Sequence, residues 1–141
     1  MFNQGQFTSR DPKVARNIAV WKEIYQHRYS EMASGDCCGK IASDYVGHGS
    51  VGHKYQLAVP ADRDALLAAH SDFRKAFPDL SISHSMFGEG DMVANHFRLE
   101  GTHSGDYRGF PSSGNSISVF ANAIARFDAE GRLVEEREMI D

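Results

Sequence analysis

The hydrophobic period of this chain changes at Pro78, and that change limits the folds open to it. From Leu80 onward, apolar and polar residues alternate in four stretches, which begin at Leu80 and Ile82 and continue over residues 92–101, 116–128 and 132–140. A period of two sends successive side chains to opposite faces, as in a β-strand. The first and second stretches are joined by Gly88-Glu89-Gly90-Asp91 and the last two by Ala129-Glu130-Gly131. Both connections have the residues of a tight hairpin turn. Before Pro78 the period is helical. Val14, Ile18, Trp21, Tyr25, Tyr29 and Met32 form one apolar stripe, which begins at Asp11-Pro12 and ends at Gly35. An aspartate followed by proline suits a helix start, because the carboxylate accepts from free amides and proline fits the first turn.

Between the stripe and Pro78 the reading is less regular. Asp36 is expected to cap a short helix running through Ala42, and residues 44–58 read as a loop with a short strand. Residues 60–77 form a further helix, with Leu66, Ala69, Phe73 and Phe77 on one face and Pro78 as its stop. Helices first and an antiparallel meander after them make an α+β domain, the helices covering one face of a curved sheet. Residues 1–10 are expected to be a flexible tail, and residues 11–141 one domain. A hollow between sheet and helices is either filled by side chains or kept as a ligand pocket.

Composition narrows the partners. The 141 residues are 41% hydrophobic and carry a formal charge of -4, with acids and bases interspersed. There is no basic patch for a polyanion, so no nucleic acid partner is expected. No apolar run approaches the roughly 20 residues that cross a bilayer, so no membrane is expected either. The two cysteines, Cys37 and Cys38, are adjacent. Neighbours rarely bridge, and a pair of thiols fits a reducing, cytoplasmic setting.

Three local signatures occur in order: Asp44-Tyr45-Val46-Gly47-His48, then Ala76-Phe77-Pro78-Asp79-Leu80, then Gly101-Thr102-His103-Ser104-Gly105 with Gly109, Pro111 and Ser113-Gly114 behind it. A strand pair containing Ala125-Arg126-Phe127 and residues 131–136 follows, and the given sequence closes on Asp141. In this the chain resembles the SnoaL-like polyketide cyclases, or ester cyclase family, of the NTF2-like superfamily. The resemblance implies a cone-shaped barrel, with a curved sheet and about three N-terminal helices around a pocket, usually in a homodimer. It implies ring closure of a polyketide by intramolecular aldol condensation, without metal or organic cofactor.

Asp141 matches the acid/base aspartate that the family carries at the end of its last strand. By simple alternation it shares a face with Leu133, Glu135, Arg137 and Met139. Arg137 stands where a tryptophan is common, and its charge would lower the pKa of a nearby carboxylate. His48 matches a frequent pocket histidine, able to donate to an oxyanion or relay a proton; the structural reading is a histidine bonded to loop backbone. His103 either faces the cavity or caps its glycine-rich turn. Trp21, Tyr25, Tyr45 and Phe73 are candidate lining residues for an apolar substrate. Asn122, set among large apolar neighbours, is expected to face the cavity. Glu135 and Arg126 read as a cross-strand ion pair.

The expected activity is therefore cofactor-free acid/base chemistry, an aldol-type cyclisation or isomerisation, on an apolar carbonyl compound. Asp141 would shuttle the proton while His48 and His103 position oxygens. Two other classes fit the same fold. One is a non-catalytic ligand-binding module, which Arg137 favours. The other is a dehydratase or epoxide hydrolase, for which Asp141 with Arg126 or Arg137 would supply part of a water-activating cluster.

Overall fold

In the computed structural model the described residues are 9–28, 39–51, 62–107 and 109–140. Helix α1, Pro12–Arg28, starts as its sequence directs. The Asp11 carboxylate accepts the Lys13 amide at 2.9 Å, and the Asp11 carbonyl takes the first helical bond, from Ala15. Val14, Ile18, Trp21, Ile24 and Tyr25 are all buried on one side. Tyr29, Met32 and Gly35, expected to continue the stripe, lie outside the described residues. Helix α2, Arg63–Ala76, is capped by Asp62, whose side chain accepts the Ala65 amide at 2.8 Å. It ends where Phe77 leaves helical geometry ahead of Pro78.

Five strands follow the order predicted after Pro78, with one addition. Strands β2 (Ser81–Glu89), β3 (Met92–Thr102), β4 (Ser116–Phe127) and β5 (Leu133–Ile140) form the expected antiparallel meander. The addition is β1, Ile41–Val51, which pairs in parallel with β5 and makes the sheet mixed. This corrects the reading of Ala42 as the end of a short helix and extends the short strand expected within residues 44–58, which starts earlier, at Ile41; Asp36 lies outside the described residues. The glycines, serines and histidine of β1 show no clean alternation, and the segment becomes a strand by pairing with β5. The strand order is β1-β5-β4-β3-β2, so the connection containing α2 carries the chain from one sheet edge to the other.

The sheet is curved and unclosed, and the helices lie on its inner face. Val93, Asn95, Phe97 and Leu99 of β3 alternate with exposed or half-buried neighbours, and Ala121, Ala123, Ala125 and Phe127 of β4 do the same. These side chains join Val14, Ile18, Trp21 and Tyr25 in one core. The alanines let α1 and its aromatic residues approach the sheet closely. Among the described residues, no helix is long and apolar enough to cross a membrane.

One irregularity decides what enters the core. Arg126 pairs with Glu135 but Phe127 pairs with Leu133, so Val134 is an extra residue in β5. Such a bulge reverses the alternation beyond it. Leu133 and Glu136 both point inward and are buried, while Glu135, Arg137 and Met139 lie on the outer face. Leu133 therefore does not share the face of Glu135, Arg137 and Met139, as simple alternation predicts.

Candidate functional site

Buried polar groups mark the interior. Glu136 is 2% exposed, within a largely apolar core. Burying a carboxylate is costly unless hydrogen bonds compensate. Two phenols do so here: Tyr45 donates to Oε2 at 3.1 Å and Tyr25 to Oε1 at 3.4 Å. The two tyrosines come from different elements, α1 and β1, and meet on a carboxylate from β5. Tyr45 is accommodated because the next inward residue on β1 is Gly47; a Cβ there would lie 2.5 Å from the Tyr45 hydroxyl.

A second polar pair adjoins the first. The Tyr25 ring is 4.8 Å from the imidazole of His84 and 5.3 Å from Phe97. Asn95, 1% exposed, places Nδ2 3.0 Å from His84 Nδ1. An amide nitrogen only donates, so Nδ1 carries the lone pair and the imidazole proton is on Nε2. Burial holds the His84 pKa down to about 4; the Asn95 hydrogen bond opposes this and the charge of Lys22 adds to it. The imidazole is therefore neutral at pH 7. Trp21 closes the cluster, its ring 5.5 Å from Tyr25 and edge-on to Phe127.

The sequence candidates thus fall in several places. Trp21, Tyr25 and Tyr45 line the interior. Phe73 and His103 belong to an aromatic group at the end of α2, where His103 stacks on Phe77 at 5.2 Å and Phe73 contacts both Phe77 and Tyr107. His103 Nδ1 also pairs with Ser113 Oγ at 3.1 Å. His48 is on the outer face, 3.8 Å from Glu135, in an open groove of about 240 Å³ lined also by Asp44, Val46, Arg126 and Val134. Asn122 is exposed on that same face and bonds to His96 at 2.8 Å. Its apolar neighbours Phe120 and Ile124 face outward with it, 53% and 49% exposed, which is why their company does not signal a cavity. Glu135 and Arg126 do pair across the strands, at 3.5 Å. Asp141 lies outside the described residues.

Sequence reasoning did not single out Glu136, His84 or Asn95. Asn95 was legible, since it alternates with Val93, Phe97 and Leu99. His84 alternates likewise with Ile82 and Met86. Glu136 was not, because only the bulge at Val134 turns it inward.

A family model for SnoaL-like polyketide cyclases matches residues 23–141. No curated protein matches the chain in sequence. Among solved structures, a candidate SnoaL-like polyketide cyclase from Jannaschia sp. CCS1 superposes with a TM-score of 0.79 at 20% identity, covering 94% of this chain and 90% of that one. AclR, a candidate hydroxylase from Streptomyces galilaeus, gives 0.75 at 22% identity, covering 91% and 90%. IdmH, a candidate polyketide cyclase from Streptomyces antibioticus, gives 0.73 at 24% identity, covering 89% and 91%. Likeness at this identity establishes the α+β cone fold that these proteins share.

Proposed function

Because the chain belongs to the SnoaL-like polyketide cyclase family, we propose that it is a small enzyme performing cofactor-free acid/base chemistry on an apolar, carbonyl-bearing molecule. The observation that carries this reading is the buried carboxylate of Glu136, held between two phenols, one of which packs on a neutral imidazole. Such a carboxylate can take a proton from a carbon next to a carbonyl. The electron pair of the broken C–H bond passes to the carbonyl oxygen as an enolate. In a cyclisation the enolate carbon then attacks a second carbonyl of the same molecule, and the new alkoxide takes up the proton. In an isomerisation the proton returns to a different carbon.

The family resemblance assigns the shuttle to Asp141, and the interior geometry offers Glu136 of β5. Both are carried forward, with Trp21, Tyr25 and Tyr45 as the substrate-facing wall. Phe73 and His103, packed at the end of α2, are assigned to the rim. His48 and Asn122 are left out of the chemistry because they occupy the outer face. Two further expectations belong with this reading: a cytoplasmic location, on the adjacent thiols, and a homodimer formed through the outer sheet face, where Phe120, Ile124 and Met139 are exposed.

Enolisation can be tested without the natural substrate. Proton NMR in D2O follows exchange of the α-protons of 2-tetralone, an apolar ketone. The wild-type protein should accelerate exchange, and Glu136→Gln or Asp141→Asn should cut the acceleration by about 100-fold. Acceleration untouched by either change would remove both carboxylates from the mechanism. Binding of the ketone without any acceleration would favour the non-catalytic module.

A further inference from the structure

Two phenols approach the buried carboxylate of Glu136, and they do not hold it equally. Tyr45 Oη lies 3.1 Å from Oε2, and Tyr25 Oη lies 3.4 Å from Oε1. Tyr25 has little freedom to come closer, because its ring packs against Trp21 at 5.5 Å, His84 at 4.8 Å and Phe97 at 5.3 Å. Tyr45 instead lays its hydroxyl over Gly47, where a Cβ would lie only 2.5 Å from it. Gly47 and Ala125 are the register partners of Glu136 on its two sides, and neither brings a charge. His84, the titratable group from β2, touches the Tyr25 ring and is neutral at pH 7. Glu135 and Arg137 project from the other face of β5.

We propose that Tyr45, seated by Gly47, is the positioning residue that keeps Glu136 charged in the interior and so sets its strength as a base. This rests on the reading above that Glu136 takes part in proton transfer. A carboxyl is far more acidic than a phenol, so the shared proton belongs to the phenol and the carboxylate accepts it. A hydrogen bond of that kind favours the charged form, whereas burial favours the neutral one. A carboxyl that keeps its own proton at neutral pH cannot act as a base. Because a carboxylate has about four lone-pair sites, accepting from two phenols does not by itself prevent it from taking a proton from carbon.

The shorter bond carries the larger share of this effect, and the missing side chain at Gly47 is what admits it. A methyl group at Gly47 therefore weakens the hold on the base while leaving both phenols in the protein.

The test titrates Glu136 directly by carbon-13 NMR, in protein labelled at its glutamate carboxyl carbons. The Glu136 signal is the one lost in Glu136→Gln. Tyr45→Phe should raise the proton affinity of this carboxyl about tenfold, and Tyr25→Phe should raise it less. Gly47→Ala should follow Tyr45→Phe. In tetralone exchange, the Tyr45→Phe rate should fall near neutrality and recover at higher pH. If Tyr45→Phe does not fold, 3-fluorotyrosine in place of Tyr45, a stronger donor, should lower the proton affinity instead. A Glu136 signal that titrates unchanged, or moves the opposite way because the carboxyl donates to the phenol, overturns the assignment. So does a larger change in Tyr25→Phe, or an exchange rate lowered equally at every pH. The titration involves no substrate, so the acid/base reading can fail or stand separately.

Discussion

The carboxylate of Asp79 accepts the backbone N–H of Thr102 at 2.8 Å, joining two of the sequence signatures into one piece of structure. The signatures are more than 20 residues apart, and further bonds reinforce the link. The amides of Ser104 and Gly105 both bond to the Ala76 carbonyl at the end of α2, and His103 stacks on Phe77. Holding α2 against the end of β3 sets the position of one wall of the interior.

Loosening this junction should be measurable. The hydrogen bond from Thr102 lowers the pKa of Asp79, so its stabilising effect is present above the unfolded carboxylate pKa and fades as pH falls through the depressed native value. Asp79→Ala should speed amide exchange at Thr102 and remove that part of the acid sensitivity. Gly105→Ala should cost about 2 kcal/mol, since its Cβ would lie 2.5 Å from the Lys75 carbonyl oxygen, which belongs to the backbone and has little room to yield. A thermal melt of Gly105→Ala that matches the wild type would contradict the close docking.

The hold of the two phenols on Glu136 makes a second prediction. Tyr45→Phe removes the shorter of the two bonds and should cost about 1–2 kcal/mol in urea denaturation, the usual penalty for depriving a buried acceptor. Gly47→Ala should reproduce much of that loss, because its methyl group would displace the Tyr45 hydroxyl. If the two changes together cost the sum of each alone, the glycine does not act through the tyrosine.

A third prediction concerns acid. His84 stays neutral in the native state down to about 4, whereas the unfolded chain takes up a proton near the ordinary histidine pKa. The unfolded state binds more protons in that window, so stability is full above about pH 6.5 and declines as pH falls toward 4. The decline due to this residue should be about 2 kcal/mol after allowance for its partial exposure. Denaturation midpoints of the wild type and His84→Phe, compared at pH 7 and pH 4.5, measure it. An equal loss in both proteins would exonerate the imidazole.

The outer face gives the fourth. A Phe120→Glu, Ile124→Glu double variant puts two charges into the exposed apolar patch and should convert a dimer to a monomer in sedimentation equilibrium. A wild-type protein that is already monomeric at tens of micromolar would refute assembly through this face.

Much of this architecture was legible in sequence because local rules agreed with the fold. Asp11-Pro12, the turns around Gly90 and Gly131, and the alternation of β3 each give the observed element. Strand β1 was legible only as a short strand somewhere in residues 44–58; its early start and parallel register come from β5, far along the chain. Asn122 misled because apolar neighbours on an outer sheet face look, in sequence, like those of an inner one. The interior chemistry was half visible: three aromatic residues were identified from the helical stripe and the first signature, while the carboxylate they surround depends on a bulge that no periodicity reveals.

Val134 makes the identity of the interior acid a matter of counting. Two adjacent glutamates stand in β5, one paired with arginines on the outer face and one between tyrosines within. Closing the bulge while keeping Val134 in the ladder would exchange their roles without altering either side chain. Relatives that keep the residue but lack the bulge would then turn a different side chain inward, even where an alignment puts the same letter in the same column. Catalytic divergence on this fold can come from a shift of phase, with no substitution at the site.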